Sequence, residues 1–310
     1  MKIYDAAATA QALPWGPLVR AIADTLNDLA AGRVQLPERW VLPLAPSTHW
    51  FVMPAWLSPA AGDLAAMKLI TYAAHNPERG LPAILGDVLV LRASTGERLA
   101  LLDGPTVTAR RTAAVTLHAA RQLAPQPVGP LLVIGTGAQA LAHVAGFTEA
   151  LGIDEVWVLG RTPASGLAFA QTLHQRGIYA EVATNLQTAL ERCPLIITAT
   201  SAQAVCLQGQ VRDDAFVAAI GAFTPQMIEL DPDLTRDIAQ RGQVVIDSVA
   251  ARHEGGDLLA AGIDLSACQT LAEHPARQDR GPVLFKSCGS ALWDLAAARC
   301  VAEEPQPTSF

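Results

Sequence analysis

Three cations in the first part of the chain sit in apolar company. They are Arg39 in Pro37-Glu38-Arg39-Trp40, Lys68 in Ala66-Met67-Lys68-Leu69, and Arg111 in Ala109-Arg110-Arg111-Thr112-Ala113. A cation among apolar neighbours is costly unless it meets an anion. A guanidinium grips a carboxylate with two parallel hydrogen bonds, whereas an ammonium adds a point charge and a transferable proton. The alternative for each is a snorkelling surface side chain. Arg110 and Arg111 are consecutive on an expected helix, about 100° apart, so only one of them is expected to face a site.

A second constellation is Leu131-Leu132-Val133-Ile134-Gly135-Thr136-Gly137-Ala138-Gln139-Ala140, which reads as strand, tight turn and helix start. Gly135 permits the turn. Gly137 lets the backbone approach a pyrophosphate seated at the positive end of the helix. GxGxxA alone is weak, but here it heads a strand–helix–strand unit, the context that marks a dinucleotide site. The alternative is an ordinary glycine turn. The next strand runs into Gly160-Arg161-Thr162 with no acid for a ribose diol, so Arg161 and the Thr162 hydroxyl are expected to hold a 2′-phosphate. That favours NADPH over NADH; the alternative is a solvated loop arginine. Thr198-Ala199-Thr200-Ser201 and Gly221-Ala222-Phe223-Thr224-Pro225 follow two further strands. Their small and hydroxyl residues, Thr200, Ser201 and Ala222 among them, suit a backbone lying close to ribose or nicotinamide, or are plain turn chemistry.

Other reactive residues do not assemble. The seven histidines lack metal-ligand spacing, the serines lack a nucleophile elbow, and the five cysteines form no CxxC pair. Satisfied structural histidines and buried, inert thiols are expected. The formal charge of −7 removes the electrostatic footprint of a nucleic-acid binder. Residues 1–14 show no signal-peptide core, and the longest apolar runs are far too short to cross a bilayer. A cytoplasmic protein with no membrane partner is expected.

The elements that must position these residues follow from periodicity. Residues 12–31 carry Leu13, Leu18, Ile22, Leu26 and Leu29 at helical spacing. Short apolar runs at 50–53, 67–71, 84–91 and 99–102 read as antiparallel or mixed strands, the last two joined by a hairpin at Ser94-Thr95-Gly96-Glu97. A helix over 106–123 ends at a Pro- and Gly-rich break, the expected domain boundary. Beyond it, strands at 131–134, 155–159, 180–183, 195–198, 216–220 and 243–247 alternate with helices at 138–151, 164–176, 186–192 and 234–241. That alternation predicts a doubly wound α/β sheet. A last helix over 290–302 precedes a tail at 305–310. The expected organisation is an α+β domain at 1–124, a Rossmann domain at 125–287, and a C-terminal segment at 288–310.

Taken together, these residues resemble the ornithine cyclodeaminase/mu-crystallin family along nearly the whole chain. The matches are Pro37-Glu38-Arg39, Met67-Lys68, Gly80-Leu81-Pro82, Leu101-Leu102-Asp103-Gly104 through Thr108 to Arg111-Thr112-Ala113-Ala114, the Gly135 loop with His143, Glu229-Leu230, Glu254 with Gly256-Asp257-Leu258, and Phe285-Lys286-Ser287 running to Asp294-Leu295-Ala296. The resemblance implies a substrate domain that also builds a homodimer, with the final helix packed back on it. It implies a substrate carboxylate held by Arg39, Lys68 and Arg111. Ala83 stands where the family commonly has Thr. Phe223 stands where ornithine cyclodeaminases carry a catalytic Asp, and an aromatic ring cannot shuttle a proton. The resemblance is therefore to the branch that reduces cyclic ketimines: Δ1-pyrroline-2-carboxylate to L-proline, and Δ1-piperideine-2-carboxylate to L-pipecolate. Phe223 is expected against the substrate ring and Lys68 beside the imine proton. The competing expectations are an ornithine cyclodeaminase, an alanine dehydrogenase-like oxidoreductase, and a non-enzymatic mu-crystallin-like ligand carrier.

Overall fold

The computed structural model describes residues 1–201, 204–278 and 280–302. It divides into two compact units: Met1–Thr112 with the C-terminal residues from Ser290 on, and Ala113–Gly289.

The first unit is α+β. Its strands are β1 (Lys2–Tyr4), β2 (Val34–Gln35), β3 (Trp40–Ala45), β4 (Thr48–Leu57), β5 (Leu64–Ala73), β6 (Ile84–Arg92) and β7 (Arg98–Asp103). They form one mixed sheet in the order β1-β7-β6-β5-β4-β2, with β3 also paired to β4. Every pairing is antiparallel except β1 with β7. Alternation sets the two faces. Met53, Lys68 and Val88 lie in register across β4, β5 and β6 and are all buried. Gly96 takes a left-handed φ of 71° in the turn between β6 and β7, as the hairpin motif requires.

The helix expected at 12–31 is α2 (Trp15–Ala30), and a short helix that was not expected, α1 (Ala6–Ala12), precedes it. Pro14, with no N–H to give, separates them. Asp5 caps α1, accepting the Ala8 amide at 2.8 Å. The buried side chains of Leu18, Ile22 and Leu26 form the inner stripe of α2. Helix α3 (Gly104–Leu123) follows β7.

The second unit carries β8 (Leu131–Ile134), α4 (Ala138–Leu151), β9 (Val156–Leu159), α5 (Pro163–His174), β10 (Ala180–Val182), α6 (Leu186–Arg192), β11 (Leu195–Thr198), β12 (Phe216–Ala219), α7 (Pro232–Arg241), β13 (Gln243–Ile246), α8 (Ala251–Glu254), α9 (Gly256–Ala260), β14 (Gln269–Thr270) and β15 (Val283–Lys286). The sheet order is β10-β9-β8-β11-β12-β15-β13-β14, parallel throughout. The chain leaves β8 in one direction to β9 and later returns to its other side with β11. This is a doubly wound sheet with its switch point at the carboxyl ends of β8 and β11. The central strands are buried on both faces, so they read as continuous apolar runs rather than alternating ones.

The structure departs from the expected boundary at 124. The division falls inside α3, because its later half is buried in the second unit, where Thr116 meets His143 of α4 at 3.0 Å. Helix α10 (Ala291–Ala302) belongs to the first unit and packs on α2, β4 and β5. The tail at 305–310 lies outside the described residues. No helix among the described residues is long and apolar enough to cross a membrane.

Candidate functional site

The first unit brings Lys68 and Arg111 to one carboxylate. Lys68 points from the middle of β5 to the inner face, where α10 lies, and its side chain is 1% exposed. From α10, Asp294 approaches it, with Oδ1 at 3.1 Å and Oδ2 at 2.9 Å from Nζ. Arg111, on α3, brings Nε to 3.3 Å from Asp294 Oδ1. That contact is an ion pair without hydrogen-bond geometry, and Nε and Nη1 are both buried with no hydrogen-bond partner among the described residues. Arg39 stacks on Phe51, 5.5 Å from the ring centroid, and adds its charge to the field at Lys68. Burial and the neighbouring Arg111 pull the Lys68 pKa down to about 7, against the opposing pull of Asp294. Arg110 turns the other way, over the Trp15 ring at 4.0 Å, with Nε donating to the Leu13 carbonyl at 2.7 Å. The two consecutive arginines thus diverge as helix geometry requires. Lys68 and Arg111 share this one buried carboxylate, two cations against one anion, and a second anion would complete the balance.

The second unit presents the glycine turn. Gly135 ends β8 with φ at 124°, and a Cβ there would overlap the Ala199 carbonyl, so only glycine lets β8 and the end of β11 meet. Gly137 is the N-cap of α4 and no side chain caps that helix, so the amide donors of its first turn are left for another acceptor. Thr136 is half-buried, Gly137 and Ala138 are exposed, and a Cβ on Gly137 would meet open space. The Gln139 carbonyl accepts the Nδ1–H of His143 at 2.7 Å, while Nε2 meets the Thr116 hydroxyl. Burial holds this histidine's pKa at about 4, making it a satisfied, neutral, structural residue. An uncapped helix start behind a tight glycine turn fits a dinucleotide pyrophosphate. Arg161 is exposed at the end of β9. Thr162 is partly committed: its hydroxyl accepts the Ser165 amide and caps α5.

Behind the ends of β11 and β12 lies a buried carboxylate that sequence reasoning did not single out as functional. Glu229 Oε1 accepts the amide and the hydroxyl of Thr200 at 2.8 and 2.7 Å. Its Oε2 accepts the Thr198 hydroxyl at 3.0 Å and the amides of Gly221 and Ala222 at 2.6 and 3.2 Å. Asp257 Oδ1 in turn accepts the amides of Glu229 and Leu230, and its Oδ2 pairs with the fully buried Lys286 at 2.7 Å. Lys286 also donates to the Ala222 carbonyl at 2.5 Å. Burial lowers the Lys286 pKa, but the charges of Asp257, Cys288 and Glu229 outweigh it and the net movement is upward. Two strand ends are thereby tied to one fixed anion. Ser201 is exposed beside them. Phe223 is half-buried and packs on the unit's own core, which leaves only part of its ring for a ligand.

Asp294 was the other omission. The signal was present: one acid within the otherwise apolar Ala291-Leu292-Trp293-Asp294-Leu295-Ala296-Ala297. Lys286, closing the apolar run Val283-Leu284-Phe285, carried the same kind of signal. Of the cysteines, Cys193, Cys268 and Cys288 are buried, and burial raises the thiol pKa of Cys193 to about 12.

Comparison with known proteins adds independent findings. The model of the ornithine cyclodeaminase/mu-crystallin family matches residues 5–308. The chain is 38% identical to the Δ1-pyrroline-2-carboxylate/Δ1-piperideine-2-carboxylate reductase of Azospirillum brasilense, over 96% of this chain and 94% of that one. It is 37% identical to Δ1-pyrroline-2-carboxylate reductase 1 of Burkholderia multivorans, with the same coverage of both chains. Among solved structures, Δ1-pyrroline-2-carboxylate reductase of Thermococcus litoralis, in complex with NADH and L-proline, matches with a TM-score of 0.88 at 24% identity, covering 98% of this chain and 97% of that one.

Proposed function

The chain belongs to the ornithine cyclodeaminase/mu-crystallin family, and from that premise we propose that it is an oxidoreductase that reduces cyclic ketimine carboxylates with a nicotinamide cofactor. Δ1-Pyrroline-2-carboxylate would give L-proline, and Δ1-piperideine-2-carboxylate would give L-pipecolate. The observation that carries the reading is the buried Lys68–Asp294–Arg111 cluster, in which two cations share one carboxylate and Arg111 Nε and Nη1 have no hydrogen-bond partner among the described residues. Such a cluster is ready for a small carboxylate.

In this reading Arg39 and Arg111 bind the substrate carboxylate, and Lys68 is the proton source for the imine nitrogen. A nicotinamide cofactor held at the Gly135 turn would supply the hydride for the imine carbon. Lys68 gives its Nζ proton to the nitrogen lone pair, so that the C=N π electrons collapse onto a cationic nitrogen as the carbon is reduced. The neutral Lys68 amine then recovers a proton from water. A protonated imine accepts hydride readily, so positioning and exclusion of water supply most of the rate. Phe223, partly open, supports the ring. It has no group to take a proton from an amine, which argues against cyclodeamination.

For the cofactor, Gly135, Thr136, Gly137, Ala138 and Gln139 would hold the pyrophosphate. Thr200, Ser201 and Ala222 would border the ribose and nicotinamide. Arg161 would carry the 2′-phosphate of NADPH, with a smaller share for Thr162 because its hydroxyl already caps α5. NADPH is therefore preferred over NADH. A cytoplasmic location accords with the need for a reduced cofactor pool.

A homodimer completes the reading. The outer face of the first sheet exposes Trp40, Leu42 and Trp50, with Leu69 and Leu85 on neighbouring strands, and Trp40 is 65% exposed. A contiguous apolar face of that kind supports burial against a second copy.

The test is one spectrophotometric assay of NADPH and NADH in turn, with five- and six-membered cyclic imine acids. Cofactor oxidation that depends on the imine acid, faster with NADPH, is expected. Turnover of ornithine to proline, alanine-dependent NADH formation, or tight ligand binding with no turnover would each replace the reading.

A further inference from the structure

Lys68 is surrounded by charge from several elements. Arg111 approaches from α3, Asp294 from α10, and Arg39 from the segment before β3. Its register partners Met53 on β4 and Val88 on β6 bring none. A buried ammonium beside two guanidinium groups loses its proton unless an anion stands against it. Asp294 is that anion. It contacts Lys68 with both oxygens and Arg111 with one, from a helix whose remaining inward residues are apolar and buried. A carboxylate needed only to fasten α10 to the sheet would not have to be shared between two cations. Sharing has a chemical consequence. The anion that keeps Lys68 charged also forms an ion pair with Arg111 through Nε, and neither Nε nor Nη1 has a hydrogen-bond partner among the described residues.

We propose that Asp294 is a positioning residue that keeps Lys68 protonated for delivery to the imine nitrogen and fixes the Arg111 guanidinium for the incoming carboxylate. This rests on the ketimine reductase reading for the identity of the proton acceptor, but not for the Lys68–Asp294 coupling itself. With the Lys68 pKa at about 7, a modest change at its counter-ion changes how much of it is charged at neutral pH. The required sign follows directly. Lys68 donates only when protonated, so kcat/KM falls as pH rises through its pKa in the free protein. Removing the Asp294 charge moves that descent to lower pH.

The experiment compares the full-length protein with its Asp294→Asn and Asp294→Glu variants by two readouts. The first is the pH profile of kcat/KM for the imine acid. The second is titration of the Lys68 ammonium by 15N NMR of lysine-labelled protein, with the resonance assigned by its loss in Lys68→Met. Expected are a descent in Asp294→Asn displaced to lower pH by about 1–3 units, with the NMR midpoint moving alongside it, and a return towards the wild-type midpoint in Asp294→Glu. Cofactor affinity, read by NADPH fluorescence, is expected to stay within about two-fold, as for other interactions confined to substrate binding. An Asp294→Asn profile that is only scaled down, with an unmoved Lys68 midpoint, would overturn the proposal. So would a Lys68 midpoint indifferent to Asn against Glu. Should Asp294→Asn fail to fold, Asp294→Ser replaces it as the uncharged variant, and a Lys68 midpoint that is the same in Asp294→Ser and Asp294→Glu overturns the proposal. If no imine is reduced by the wild type while the NMR midpoints still move, the functional reading fails and the coupling stands.

Discussion

Arg111 enters the Lys68 cluster in an ion pair with Asp294, with Nε and Nη1 both lacking a hydrogen-bond partner among the described residues. Truncating it removes charge-assisted hydrogen bonds of about 1.5–3 kcal/mol to a bound carboxylate. Arg111→Ala should therefore raise KM for the imine acid roughly 10- to 100-fold and leave NADPH affinity nearly intact, as steady-state kinetics and fluorescence titration would report. Unchanged kinetics would remove Arg111 from the site. Arg161→Asp should turn cofactor preference towards NADH, read as the ratio of kcat/KM for the two cofactors; no change in that ratio would undo the 2′-phosphate assignment. His143 supplies a stability signature. Its folded pKa of about 4 lies below the ordinary 6.5, so the folded state binds fewer protons between those values. Its contribution is complete above pH 6.5 and is lost as pH falls through 4, on the order of 3 kcal/mol in all. Urea unfolding of wild type and His143→Gln over that range should show the wild type losing stability more steeply. Parallel curves would contradict it. Cations with apolar flanks were legible in the sequence because burial of a charge is conspicuous there. Their counter-ion was not, because it arrives from residue 294 and nothing local announces the pairing.

Elements with strong periodicity were legible for the same reason that they fold. The strand at β8, the helix α4 and the strand at β11 stand where continuous apolar runs and flanking glycines put them. Three kinds of element were not foreseen. β1 and β3 are short or exposed strands whose pairing is decided by partners distant in sequence. α1 is a seven-residue, Ala-rich helix with too few large apolar residues to show a helical period. β15 is a short run ending in lysine, and its place between β12 and β13 becomes visible only when Lys286 is seen to meet Asp257. That buried network yields a prediction for the elements it joins. Glu229→Gln places an amide donor against backbone donors of Gly221, Ala222 or Thr200, leaving buried amides unsatisfied at a cost of about 1–3 kcal/mol each. A fall in Tm on the order of 5 °C and weaker NADPH binding by fluorescence titration are expected. A variant that melts and binds like the wild type would show that the carboxylate does not fix those strand ends.

At the scale of the whole molecule, the fold class and the presence of two units were readable, because alternation of period 2 gives way to alternating strands and helices near residue 130. The boundary itself was not, since α3 runs unbroken through it and only its burial reveals where it belongs. The apolar outer face of the first sheet bears on assembly. Leu42→Lys with Trp50→Glu should convert a dimer to monomers in size-exclusion chromatography with light scattering, whereas an unchanged mass would place the subunit contact elsewhere. The central claim concerns the path of two electrons. The measurement that reads it most directly is turnover of Δ1-pyrroline-2-carboxylate with NADPH dideuterated at C4 of the nicotinamide, followed by mass spectrometry and NMR of the product. One deuterium at Cα of L-proline is predicted, with one cofactor oxidised per proline formed. Proline without deuterium, or no cofactor oxidised in the presence of the imine acid, would contradict the account.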